Sequence, residues 1–230
     1  MESRNRRGTM TPSRENVTQA LPAFLTGFAA EARIARLSGW PVAIGGGTTE
    51  GVAQAARRLI EAGVSGIISF GFAGGLDPSL PAGKLIVADA VIDNGRRWPT
   101  DDALNQRLGG STGHVCLGLD HIAATVEEKQ SLYKATGAAA VDMESGAIAA
   151  SGVPFAVLRA ICDPADRALP PAALIALDTA GRIVPGRVLW SILTAPWQIG
   201  ALARLARDAR EARRTLQGMA EALAPFQSGE

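Results

Sequence analysis

An α/β fold in one domain is what the sequence predicts, from three observations. Apolar runs of strand length alternate with stretches whose apolar residues recur at helical spacing. Two of those runs end in glycine-rich turns, at 45–47 and 71–75, as strands do where an α/β sheet meets its ligand. A third run, VPFAVLRAI at 153–161, is nearly all apolar and suits a strand covered on both faces. The length, 230 residues, accommodates one such domain with a sizeable core.

Taken in order, residues 1–19 are polar and charged without periodicity. They read as a disordered extension, which leaves 20–230 as the domain. LPAFLTG (21–27) is a short apolar strand ending in glycine, and AAEARIAR starts a helix. PVAI (41–44) is a second strand, and Thr48 or Thr49 after the glycines is a plausible N-cap. The following helix carries Val52, Ala55, Ala56, Leu59 and Ile60 as an apolar stripe closed by Gly63. GIISFGF (66–72) and KLIVADAVI (84–92) are strands. The polar, glycine-rich stretch 93–114 reads as an excursion or lid. Residues 122–135 read as an exposed helix with Glu127, Glu128 and Lys129 on its polar side. MESGAIAAS is a helix of small residues, suited only to close packing. The C-terminal region from about Pro170 is helical, with Ile199, Leu202, Leu205, Ala209, Ala212 and Leu216 on one face and Arg204, Arg207, Arg210 and Arg214 on the other.

Composition narrows the function classes. Lys and Arg number 23 against 22 Asp and Glu, a net charge of +1, which supplies no field for tracking nucleic-acid phosphates. Two cysteines, Cys116 and Cys162, cannot build a disulfide framework. The basic start (Arg4, Arg6, Arg7) lacks the apolar core of a secretory signal, and no run approaches 18 apolar residues. A cytoplasmic enzyme or binding domain is expected. No Cys/His cluster has metal spacing, Gly45-Gly46-Gly47 lacks the third glycine of a dinucleotide fingerprint, and neither metal nor cofactor is expected.

Three segments place acids or glycines at the ends of apolar runs: Glu31; the turn 71–75; and the pair of segments ending in Glu144 and Asp163. Taken singly, each has a plainer reading. A glycine-rich turn after a strand is often only a turn, and acids at helix starts are often caps.

Together and in order they are far more specific. AVDMESGAIA (140–149), VPFAVLRAICDPAD (153–166) and GFAGGLDPSLPAGKLIVAD (71–89) resemble the nucleoside phosphorylase superfamily, in its branch of methylthioadenosine/S-adenosylhomocysteine nucleosidases. GFAAEARIA, LPPAALIALD and the Arg-rich final helix resemble the hopanoid-biosynthesis-associated phosphorylase subgroup. The resemblance implies a mixed central β-sheet flanked by helices, a homo-oligomer without metal, and removal of adenine from adenosylhopane.

The resemblance also implies roles. Cleaving a nucleoside leaves an anionic purine, a poor leaving group unless protonated, and Asp163 matches the acid that supplies the proton. An Asp there also accepts from the exocyclic amine of adenine. Glu144 matches the carboxylate that binds the ribose hydroxyls, with Met143 against the ribose face. Glu31 resembles the acid that orients the attacking water, and Ala73 and Gly74 bring backbone close to the nucleoside. Phe72 stands where a small hydroxyl residue is common, and Cys162 stands where Ser is frequent. No arginine falls at the phosphate-clamping positions; Arg33, Arg96 and Arg97 qualify by charge alone. Water therefore competes with phosphate as acceptor. Two rivals stay open: a general methylthioadenosine or S-adenosylhomocysteine nucleosidase, and a nucleoside-binding protein without catalysis, which would need no acid at the purine.

Residues 188–202, VLWSILTAPWQIGAL, carry no charge and precede Arg204, Arg207, Arg210, Arg213 and Arg214. They read either as a core helix kinked at Pro196 or, over 188–214, as a peripheral membrane contact.

Overall fold

The computed structural model describes residues 20–174 and 196–224. The stretch 1–19 and most of the uncharged C-terminal segment, Trp190 included, lie outside the described residues. Eight strands appear among the described residues: β1 (Ala23–Thr26), β2 (Val42–Ile44), β3 (Ile67–Gly75), β4 (Leu85–Asp93), β5 (Arg96–Pro99), β6 (His114–Gly118), β7 (Ala140–Asp142) and β8 (Phe155–Asp163). The α-helices are α1 (Ala29–Ala35), α2 (Thr49–Glu61), α3 (Asp102–Arg107), α4 (Val126–Thr136), α5 (Ser145–Ala149), α6 (Pro171–Leu174) and α7 (Ile199–Ala222).

The sheet is mixed, as the resemblance implied. β1 lies parallel to both β2 and β3, and β3 runs parallel to β8 from Ile67↔Phe155 to Gly74↔Asp163. Two long strands share themselves between partners. β4 pairs antiparallel with β8 at Leu85, Ile86 and Val87, then parallel with β6 from Ala88 onward. β3 ends by pairing with β7 at Gly74 and Gly75, and β7 lies parallel to β6. The pairings β3–β8–β4–β6–β7–β3 therefore close a ring.

Period-two alternation sorts the strand side chains between two layers. Phe155, Val157 and Ile161 of β8 join a core with Val52, Ala55, Ala56 and Leu59 of α2 and Ile148 of α5. Ala156, Leu158 and Ala160 face the other way, into a core with Ile34 of α1 and Ala212, Leu216 and Ala220 of α7. Phe24 anchors this second layer, stacked on Trp40 and edge-on to Phe70 with centroids 5.4 and 5.0 Å away. Burying each such side chain stabilises the fold by roughly 1.5–3 kcal/mol. The α2 stripe behaves as read, and its N-cap is Thr48, whose hydroxyl accepts from Gly51 N at 3.1 Å.

Three expectations need correction. Residues 71–75 are no turn: they continue β3, paired with β8 and β7. Within the excursion 93–114, Asn94 and Gly95, both at positive φ, turn the chain into β5, which pairs with β4. α3 then follows, with Leu104 buried. Polar residues dominate there because β5 is an exposed edge strand. Lys129 is not solvated but fully buried. Ile199 is not on the packed face of α7: it is 55% exposed, and the helix buries Asp208, Ala212, Leu216 and Ala220 instead.

Candidate active site

The site is assembled where β3 and β8 run side by side. Arg159, near the middle of β8, is fully buried, and an unpaired guanidinium could not be kept there. Its Nη2 donates to Glu144 Oε2 at 2.9 Å and to Ser69 Oγ at 2.7 Å, and its Nη1 donates to the Phe72 carbonyl at 3.3 Å. Its Nε lies 2.7 Å from Asp142 Oδ2, an ion pair whose N–H is not aimed along the contact. Asp142 is held in turn at the end of β7: its Oδ1 accepts from the backbone N–H groups of Glu144 and Ser145 at 3.1 and 2.8 Å.

Glu31 enters from the first turn of α1. One oxygen, Oε2, accepts from Phe28 N at 3.0 Å and closes the helix start. The other, Oε1, accepts from Phe72 N at 2.9 Å, tying α1 to β3. Two glycines make room. A Cβ at Gly27 would overlap Glu144 Oε1. One at Gly71 would collide with Glu31 Oε1 and come within 2.6 Å of Arg159 Nη1. Three carboxylates thus converge on one arginine.

That ratio sets the proton affinities. Burial raises Glu31 above its ordinary value, against the opposing pull of Arg159 and of the Phe72 and Phe28 N–H groups. Burial likewise lifts Glu144 to about 7, opposed by Arg159 and reinforced by the charges of Glu31 and Asp142. Burial works against the charge of Arg159, but Asp142, Glu144 and Glu31 together raise its affinity further above the ordinary value.

Asp163 closes β8. It lies four residues beyond Arg159, past a register shift that pairs Ile161 with Ala73 and Asp163 with Gly74, and a Cβ at Gly74 would stand 3.4 Å from its Oδ2. Its Oδ2 accepts from Lys129 Nζ at 2.7 Å, and its Oδ1 from Cys162 Sγ at 3.2 Å. Burial raises Asp163 although Lys129 pulls the other way. The Cys162 thiol is also pushed up, by burial and by Asp163, so it stays protonated. Residues 71–75 of β3 therefore run between a cluster of carboxylates at one end and a single buried acid at the other.

The remaining residues singled out in the sequence fall around this axis. Ala73 is buried and faces the α2 side, in the same core as Ile161. Phe72 contributes its backbone to Glu31 and Arg159, while its ring, like Cys162, packs against the core on the α7 side. Met143 lines an open cleft of about 870 Å³ whose wall mixes Ile92, Leu117, Leu119 and Leu132 with Glu50, Asp93 and Asp120. Asp163 borders a separate cavity of about 310 Å³, with Asp166, Arg167, Arg204 and Asp208. Arg33, Arg96 and Arg97 are exposed, and Arg96 stacks on Trp98 at 3.5 Å.

Sequence reasoning assigned no role to Arg159, Asp142 or Lys129. Arg159 had a signal: a charged residue inside a run predicted to be buried on both faces must have partners. Lys129 had none, sitting in a helix rich in charge. Among the described residues no group of His, Cys, Asp and Glu is arranged to hold a metal ion.

Comparisons with known proteins agree with this architecture. The family model of the phosphorylase superfamily matches residues 29–115, from α1 into the start of β6. No curated protein matches the chain by sequence. Among solved structures, the fold is similar to futalosine hydrolase of Helicobacter pylori strain 26695, with 19% identity, a TM-score of 0.62, and 89% of this chain and 99% of that one covered. It is equally similar to 5′-methylthioadenosine/S-adenosylhomocysteine nucleosidase of Helicobacter pylori, with 19% identity, a TM-score of 0.60 and the same coverage of each chain. The Colwellia psychrerythraea 34H nucleosidase, solved with adenine, is 19% identical with a TM-score of 0.58, covering 76% of this chain and 96% of that one. The chain has the single-domain α/β fold of these proteins, a mixed sheet flanked by helices.

Proposed function

We propose that this protein is an enzyme that cleaves the N-glycosidic bond of an adenine nucleoside carrying a bulky apolar 5′ substituent, adenosylhopane being the substrate that the sequence resemblance favours. The observation that carries the reading is the placement, on and against the adjacent strands β3 and β8, of the Glu31–Arg159–Glu144 cluster and the buried acid Asp163. Glycoside cleavage needs a proton for the leaving base and negative charge near the sugar, which becomes cationic.

On this reading Asp163 donates its proton to N7 of the purine as the C1′–N9 bond breaks and its electron pair passes to the base. Glu144 accepts from a ribose hydroxyl and faces the positive charge developing at C1′. Glu31 orients a water and takes its proton as the new C1′–O bond forms. Met143 lies against the sugar, the backbone of Phe72, Ala73 and Gly74 shapes the wall, and Cys162 backs Asp163 through its thiol. The cleft beside Met143 has an apolar part, Ile92, Leu117, Leu119 and Leu132, that suits an apolar 5′ group, next to the acids Glu50, Asp93 and Asp120. Water is the favoured acceptor, because Arg159 is engaged by Asp142, Glu144 and Ser69 while Arg33, Arg96 and Arg97 stand in solvent.

The test is free adenine, followed chromatographically, from adenosylhopane and methylthioadenosine with and without phosphate. Release in phosphate-free buffer, faster from the hopane nucleoside, is the expected result. Equal rates would favour a general nucleosidase; binding without adenine release would leave a nucleoside-binding protein and overturn the enzymatic reading. Strict phosphate dependence with a ribose-1-phosphate product would restore phosphorolysis.

The reading extends to an assembly of two or more copies, and to a peripheral membrane contact for a lipid substrate. Trp197 is 80% exposed beside exposed Ile199, and Arg204, Arg207, Arg210, Arg213 and Arg214 are exposed along α7. No described helix is long and apolar enough to cross a membrane. Co-sedimentation with anionic vesicles, weakened by salt, tests the contact.

A further inference from the structure

α4 is a surface helix whose only buried residue is Lys129. Its amino group reaches across to the chain just past β8, 2.7 Å from Asp163 Oδ2, 3.0 Å from the Arg167 carbonyl, 3.1 Å from that of Pro164 and 3.2 Å from that of Asp163. An ammonium has three N–H donors, and here four acceptors from one short turn surround it. Such a buried pair is weak evidence for stability, since well-packed apolar residues of similar volume often do as well or better. Its presence on an otherwise solvated helix calls for another cause.

We infer that Lys129 is a positioning residue for the acid of this site: it holds Asp163 by Oδ2 and fixes the turn that carries it, so that Oδ1 is the oxygen that carries and delivers the proton. The inference rests on the N-glycosidic reading above. An oxygen that accepts from an ammonium at 2.7 Å is a poor place for a proton, which leaves Oδ1, whose neighbour is the Cys162 thiol at 3.2 Å. When the proton passes to the base, the new carboxylate meets a cation already in contact with it, and nothing has to reorganise.

The other charges around Asp163 do not substitute for Lys129. From α7, Asp208 is paired with Arg167, and Arg204 is exposed; Asp166 of the same turn is exposed. Cys162 of β8 is neutral for the reason given above. The turn is tied down independently by the Arg167–Asp208 pair and by Leu169 N donating to the Ala124 carbonyl at 2.8 Å, so loss of Lys129 leaves it anchored.

The experiment compares Lys129→Met and Lys129→Arg with the wild type in two measurements. One is the pH profile of adenine release. The other is the titration of the Asp163 carboxyl by carbon NMR, assigned with Asp163→Asn. An opposite charge in contact lowers a carboxyl by about 1–3 pH units, so the Met variant should titrate higher by about that much. The alkaline limb of its rate profile should move upward with it, while Arg holds both near wild type. If Lys129→Met fails to fold, Lys129→Gln carries the same test, being neutral yet able to donate to the same carbonyls. An unmoved Asp163 titration in the neutral variants overturns the inference, even if activity falls. A titration that moves in a protein releasing no adenine upholds the hold of Lys129 on Asp163 and sinks the glycosidic reading instead.

Discussion

Replacing Glu144 with Gln should stabilise the protein at alkaline pH while removing its activity. The Glu144 carboxyl is buried and its affinity for a proton is raised from 4.5 to about 7. A carboxyl raised in the folded state contributes stability that is whole below the unfolded value, near 4.5, and is lost as pH rises through the folded one, near 7. The gap corresponds to about 3 kcal/mol, an upper figure because the buried cluster shares its charge. Gln is neutral throughout, and an amide oxygen can still accept from Arg159, whose remaining partners Asp142 and Glu31 keep the cluster balanced. The two proteins should therefore unfold at similar urea concentrations at pH 4.5 and diverge through pH 7, with the Gln variant ahead by up to about 3 kcal/mol at pH 8.5. Adenine release by that variant should be severely reduced. Parallel stability curves from pH 4.5 to 8.5 would show that Glu144 ionises without penalty and would refute the reasoning.

Asp163→Asn keeps the shape but not the proton, so adenine release should fall at least about a hundredfold while nucleoside binding, measured by calorimetry, survives; near-normal turnover would remove Asp163 from the mechanism. Arg159→Met leaves Asp142, Glu144 and Glu31 without their common cation and should cost about 3–5 kcal/mol, read by denaturant unfolding, with less loss at pH 4.5 where Glu31 and Glu144 are more nearly neutral. Gly71→Ala drives a methyl into Glu31 and Arg159 and should cost about 1–3 kcal/mol and most of the activity; an Ala variant as stable and active as wild type would mean that Glu31 has room to move.

The acids of the site were legible because each stands where an apolar run stops. Glu31 follows β1 by one turn, Glu144 follows β7, and Asp163 ends β8, so pattern and position point to the same residues. What joins them was harder to read. Arg159 interrupts an apolar strand, and that anomaly is visible, but nothing local says that its partners are 128, 17 and 15 residues upstream, as Glu31, Asp142 and Glu144 are. Lys129 looks solvated because Glu127 and Glu128 precede it, and helical spacing cannot tell which side of a polar helix meets a neighbour. The strand and helix inside the excursion 93–114 were hidden for a different reason. The hairpin signal, Asn94-Gly95, sits beside Arg96, Arg97 and Trp98, which form an exposed edge rather than the apolar alternation of a half-buried strand.

The closed ring of strands has a consequence for how the chain finds its register. β8 carries Arg159 and Asp163 and lies along β3, and sliding one past the other by a single residue would turn every β8 side chain to the opposite layer. Arg159 would then lose Asp142 and Glu144 and lie among Phe24, Phe70 and the apolar face of α7, a guanidinium with no counter-charge. An all-apolar strand would tolerate such a slip with modest loss; this one cannot. The same charge that organises the carboxylates thus works as a key, admitting one alignment of the two strands and rejecting its neighbours while the ring closes.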